Sequence, residues 1–85
     1  MIIKKEDLER IKEWCRKIKE KEKRTYIIRR NPFQNEIPWT RTILFIDIDK
    51  PKEYCSRLNL VYDSSTDTLW RFVDNKWISL KPPSQ

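Results

Sequence analysis

Histidine, glycine and alanine are all missing from these 85 residues. Without histidine, the chain lacks the usual general base near neutral pH and the commonest metal ligand. Without glycine, it can form neither a P-loop nor a dinucleotide fingerprint, since both need backbone that meets phosphate without a Cβ. Cys15 and Cys55 are too far apart for a C-x-x-C motif, and two thiols with no histidine make a poor zinc site. They read as reduced, buried thiols; the alternative, a disulfide, depends on a Cα separation that sequence does not give. The longest unbroken apolar run is Ile43–Ile46, and Met1–Lys5 has no hydrophobic signal region. The expectation is therefore a protein that neither spans a membrane nor is exported by a signal peptide. This length allows one domain with a thin core and no large pocket. Neither an enzyme nor a cofactor or small-molecule substrate is expected.

What is present is charge and β-branched bulk. Isoleucine and lysine each occur 11 times, a bias toward AT-rich codons that suits a phage or viral genome. The net charge of +6 is unevenly placed. Residues 1–30 hold 12 basic and 6 acidic side chains, whereas residues 31–85 hold 7 of each. The whole excess belongs to the N-terminal third, and a basic excess of this kind points to polyanionic partners.

Residues 5–23 have the spacing of an amphipathic helix. Leu8, Ile11, Trp14, Cys15 and Ile18 fall three and four apart and cover a stripe about 120° wide. Glu6 and Asp7 occupy the first turn, where the helix dipole favours carboxylates. Glu6–Arg10, Glu13–Lys17 and Glu20–Arg24 are spaced as i,i+4 ion pairs. Lys5, Lys12, Arg16, Lys19 and Lys23 project within about a 60° wedge beside the apolar stripe. With Arg29 and Arg30, and with Arg24 and Arg41 as extensions, they are the candidate nucleic-acid contacts. The plain alternative is a solvated face whose field is weakened by Glu9, Glu13 and Glu20.

Strands are expected at 24–30, 40–49, 58–62, 68–73 and 76–80, from β-branched and aromatic enrichment between turn residues. NPFQNEIP (31–38) is a loop, and KPKEYCSR (50–57) is a connector that suits one helical turn. Asp74–Asn75 takes the place of Asp-Gly in a two-residue hairpin. In the second strand Leu44, Ile46 and Ile48 face one way, with Ile43 and Phe45 the other. Asp47 and Asp49 share a strand face near Lys50 and Glu53, a spacing able to hold a divalent metal. A strand end turning polar explains them equally, and no metal site is assigned. The expected fold is α+β: an N-terminal amphipathic helix packed on a small antiparallel sheet of four to five strands. The domain covers 1–81, with 82–85 as a tail.

Alternation along the last strands places Tyr62, Trp70 and Phe72 on one face, and Val61, Leu69 and Val73 on the other. One helix roofs one face. If it covers the aliphatic side, Tyr62, Trp70 and Phe72, with Trp77, form a surface for another protein or for self-association. If it packs on the aromatic side through Trp14 and Ile18, the same rings are ordinary core.

Tyr62, Asp63, Thr66, Thr68, Leu69, Trp70, Asp74 and Trp77 resemble the short β-meander that recurs in phage tail-fibre and virion accessory proteins, with Asn75 where that pattern has glycine. The resemblance implies a structural or attachment role in a virion or the host cytoplasm, and it carries no catalytic residue. The reading reached from sequence is a small non-catalytic protein that binds a host or virion protein, with nucleic-acid binding by the basic helix as the alternative.

Overall fold

The computed structural model describes residues 3–46 and 59–81. One helix, α1 (Lys5–Lys21), precedes five strands: β1 (Ile27–Arg30), β2 (Thr42–Phe45), β3 (Asn59–Asp63), β4 (Thr68–Val73) and β5 (Lys76–Ser79). The strands form one sheet in the order β1-β2-β3-β4-β5. The chain is α+β, as its periodicities predict. The sheet is not wholly antiparallel, however: β2 and β3 run parallel, with Phe45 opposite Tyr62. A hairpin turn cannot join parallel neighbours, so the connection needs about a dozen residues. That connection, 47–58, lies outside the described residues. So do Ile48, the candidate metal ligands Asp47, Asp49 and Glu53, Cys55, and the tail 82–85.

α1 forms because its apolar residues recur at helical spacing, and it starts with the Leu8 amide donating to the Lys4 carbonyl at 2.9 Å. Glu6 and Asp7 sit at its positive end. Leu8, Ile11 and Cys15 are buried against Ile27, Ile43, Phe45, Leu60, Tyr62 and Leu69 of the sheet. Each fully buried Leu or Ile contributes about 1.5–3 kcal/mol. Trp14 fixes the helix laterally, 5.6 Å from Phe33 and 5.9 Å from Phe45 between ring centres.

On the sheet face away from α1 lies a second, smaller cluster of Leu44, Ile46 and Val61, with Trp70 and Trp77 packed against it. Ile43 and Phe45 face the helix while Leu44 and Ile46 face away, as β2's alternation predicts.

The β3–β4 register corrects the expected grouping of aromatics. Val61 is opposite Trp70, and Tyr62 is opposite Leu69. Tyr62 therefore belongs to the helix side at 2% exposure, while Trp70 and Phe72 point to the other face. Tyr62 is core, not binding surface. The physical reason is that alternation fixes faces within a strand, whereas the relative phase of two strands is set by the turn joining them. Here that turn is Ser64–Asp67, closed by Asp63, whose carboxylate accepts from the Ser65 amide at 3.0 Å, the Ser65 hydroxyl at 2.7 Å and the Thr66 hydroxyl at 3.1 Å.

Candidate nucleic-acid interface

Of the four aromatic residues expected to grip a protein, Tyr62 is sealed under α1, and Trp70, Phe72 and Trp77 are half-buried. Phe72 and Trp77 are cross-strand partners with ring centres 4.9 Å apart. Leu44 and Val61 beneath them are 1% and 0% exposed, so this face is not an open apolar platform. Among the described residues, the large apolar side chains that do reach solvent are Tyr26 (42%), Ile28 (48%) and Ile78 (49%).

The cations are sorted by what they already hold. Arg16 reaches from α1 to Asp67 at 2.9 Å. Arg29 pairs with Glu22, which also takes Arg24 at 2.6 Å. Lys19 donates to the Arg24 carbonyl, and Arg10 bonds Glu36 and Asp7 while lying over the Phe33 ring. Of the expected i,i+4 pairs, Glu13–Lys17 forms at 3.7 Å, whereas Arg10 and Arg24 choose other acids. Lys5, Lys12, Lys23, Arg30 and Arg41 have no acid partner among the described residues. Three of the seven predicted contacts, Arg16, Lys19 and Arg29, are thus engaged within the fold.

Asp67 is the hub at one end of the sheet. It accepts the Tyr62 hydroxyl at 2.6 Å and the Arg16 guanidinium. Partial burial works to raise its carboxyl, but the bonds from Tyr62 and Arg16 and the charges of Arg16 and Lys12 outweigh it and hold the group below the usual range. Burial first, and then the bond to Asp67, pushes the Tyr62 phenol well above its ordinary value. The Cys15 thiol beside them is raised as well, chiefly by burial and then by the charge of Asp67. This constellation braces α1 against the β3–β4 turn and offers no reactive group.

The opposite end of the sheet is built differently. Arg30 is in register with Thr42, and just beyond it the Asn31 amide donates to the Arg41 carbonyl at 2.9 Å. Strand pairing therefore brings two arginines that bracket a ten-residue loop (31–40) to adjacent positions. Buried Asn31 holds that loop: its Nδ2 donates to the Ile37 and Thr40 carbonyls, each at 2.9 Å, and its Oδ1 accepts the Phe33 amide at 2.7 Å. Gln34 Nε2 donates to the Asn31 carbonyl at 3.2 Å. Arg30, Asn31, Gln34 and Arg41 line an open recess of about 460 Å³.

The basic helix wedge and the Arg30–Arg41 pair are not brought together. Arg16 is tied to the Tyr62–Asp67 end of the sheet, whereas Arg30 and Arg41 flank the Thr42–Asn59 end. Sequence spacing placed Arg41 only as an extension of the helix patch. The signal that it partners Arg30 was their position on either side of a loop between two pairing strands. Among the described residues no cluster of acids and thiols is able to hold a metal, and no helix is long and apolar enough to cross a membrane. No protein family, curated protein or solved structure matches the chain.

Proposed function

We propose that this is a non-catalytic nucleic-acid-binding protein whose contacts are made to phosphate by the cations that its internal ion pairs leave free. The observation that carries the reading is the Arg30–Arg41 pair. Arg30 and Arg41 both line the recesses at this end of the sheet, neither has an acid partner among the described residues, and the planar fork of arginine suits phosphate. Lys5, Lys12 and Lys23 add to a field already set by the net charge of +6. Binding of a labelled oligonucleotide across a salt series is the test. Five phosphate contacts on duplex DNA would give a slope of log K on log salt near about −4.5. A slope shallower than about −1 removes phosphate contact as the source of binding.

A protein partner on the Trp70–Trp77 face is the second reading, favoured by one observation. The indole Nε1 groups of Trp70 and Trp77 are shielded from solvent and have no hydrogen-bond acceptor among the described residues. Unsatisfied donors cost about 1–3 kcal/mol each, and a partner that turned these half-buried rings outward to meet an acceptor would recover it. The tail-fibre resemblance gives this reading an assembly or attachment role in a virion or the host cytoplasm. Capture of a partner insensitive to salt and abolished by Trp70→Ala would replace the nucleic-acid reading with this one.

A further inference from the structure

We infer that the nucleic acid is a single strand laid along β1, with one internal phosphodiester seated between Arg30 and Arg41 and its neighbouring bases against Ile28 and Tyr26. The inference rests on the nucleic-acid reading and narrows it to one place and one form of ligand. β1 is the edge of the sheet, so one side of its backbone and one row of its side chains meet solvent. Ile28 and Arg30 share one face of β1 at about 6.6–6.8 Å, and Tyr26 immediately precedes the strand. Tyr26 and Ile28 are among the most exposed large apolar side chains of the molecule. Basic groups alternating with exposed ring and apolar surface are what unpaired strands need, because bases free of a duplex stack on side chains while the backbone follows the charge.

The seat itself is preorganised. The Asn31 bonds and the Asn31–Arg41 backbone bond fix both arginine backbones, so the order still to be gained on binding is that of the two side chains. Both arginines line two recesses, one with Gln34 and Asn31 and the other with Ile28 and Thr42. A phosphate with a nucleoside on each side fits that arrangement better than a terminal phosphate, which would leave one recess unused.

The test is fluorescence anisotropy with a mixed-sequence DNA strand and its duplex, on the full chain and on exposed-surface variants. The single strand is expected to bind at least about ten-fold more tightly than the duplex. Arg30→Gln and Arg41→Gln are each expected to weaken it about ten-fold, and the double variant by clearly less than the product, because both groups serve one phosphate. The double variant lowers the salt slope by about 0.7, and either single change by less, since the remaining arginine still holds the phosphate. Tyr26→Ala weakens binding with the slope unchanged, and Lys17→Gln/Lys21→Gln, which removes the same charge elsewhere, has little effect. Fully multiplicative losses, losses no greater than in the Lys17/Lys21 control, or preference for duplex would overturn the seat while leaving nucleic-acid binding in place. Equal binding of polyglutamate would overturn it in favour of an acidic protein partner. Absence of binding to either DNA form would overturn the parent reading and this one with it.

Discussion

The Asp67 carboxylate takes the Tyr62 hydroxyl at 2.6 Å from beneath and the Arg16 guanidinium at 2.9 Å from above. Tyr62 is five residues away and Arg16 is 51 residues away along the chain, so one acid joins the helix, the third strand and the turn that sets the β3–β4 register. Tyr62, which alternation groups with Trp70 and Phe72, lies in the core with its hydroxyl satisfied by the turn. A buried tyrosine needs a partner for its hydroxyl, and here the turn supplies it.

Acid should therefore loosen the domain through Asp67. Its folded-state carboxyl titrates below the ordinary value, so its contribution is present above about pH 3.9 and lost as pH falls through the folded value. Because the side chain is 42% exposed, screening limits the effect to about 1 kcal/mol. Asp67→Asn should lower the melting temperature at pH 7 by about 4–8 °C. The difference from the unaltered chain should shrink as pH falls through the folded-state value. A gap that stays constant from pH 7 to pH 2 would show that charge on Asp67 does not matter.

Cys15 should be inert while the domain is folded. Its side chain is fully shielded and its thiol raised by burial and by Asp67, so almost no thiolate exists at neutral pH. In a Cys55→Ser background, an aromatic disulfide reagent should react at the rate of unfolding, and denaturant should raise that rate by orders of magnitude. Immediate labelling of native protein would contradict the burial of Cys15.

The parts of the fold legible in sequence were those governed by local period. The α1 stripe, the alternation of Ile43, Leu44, Phe45 and Ile46, and the β4 span Thr68–Val73 follow from spacings of 3.6 and 2 within one segment. What required the fold was relative phase and partner choice. The swap of Val61 and Tyr62 between faces depends on the Ser64–Asp67 turn, and the parallel pairing of β2 and β3 depends on which neighbour the chain returns to. Charge behaved likewise: the helix cations form one wedge in projection, yet Arg16 and Lys19 are spent on Asp67 and the Arg24 carbonyl, partners that helical spacing does not show. Arg30 and Arg41 became a pair only once their strands met.

Asn31 should be the most sensitive polar residue of the described chain. Removing its amide takes one donor from each of the Ile37 and Thr40 carbonyls and the side-chain acceptor from the Phe33 amide, at about 1–3 kcal/mol for a group that stays buried and unsatisfied. Asn31→Ala is expected to cost about 3 kcal/mol or more in urea unfolding and to free the loop that positions Arg41. Asn31→Asp should cost more still, since it turns a donor to two carbonyls into an anion facing them. A loss below about 0.5 kcal/mol would mean that the loop is held by its apolar residues Phe33, Ile37 and Trp39 alone.

Among the described residues, three carry the positive φ that glycine would normally take: Asp67 at 51°, Asp74 at 52° and Asn75 at 62°. Asp74 and Asn75 are consecutive, as a type I′ turn between β4 and β5 requires, and a side chain in that region crowds the backbone. Asn75→Gly removes the crowding but loosens the unfolded chain, two effects that oppose each other at about 0.4–1 kcal/mol apiece. Because Asp-Gly is a preferred pair for this turn, the net is expected to be a gain of about 0.5 kcal/mol. Asn75→Ala, with a Cβ and no local hydrogen bond to offset it, should lose about 1 kcal/mol. Ser64→Gly separates the two effects, because Ser64 has no positive φ among the described residues, and glycine there adds only unfolded-state freedom. Stabilisation at Ser64 equal to that at Asn75 would show that the gain is not conformational.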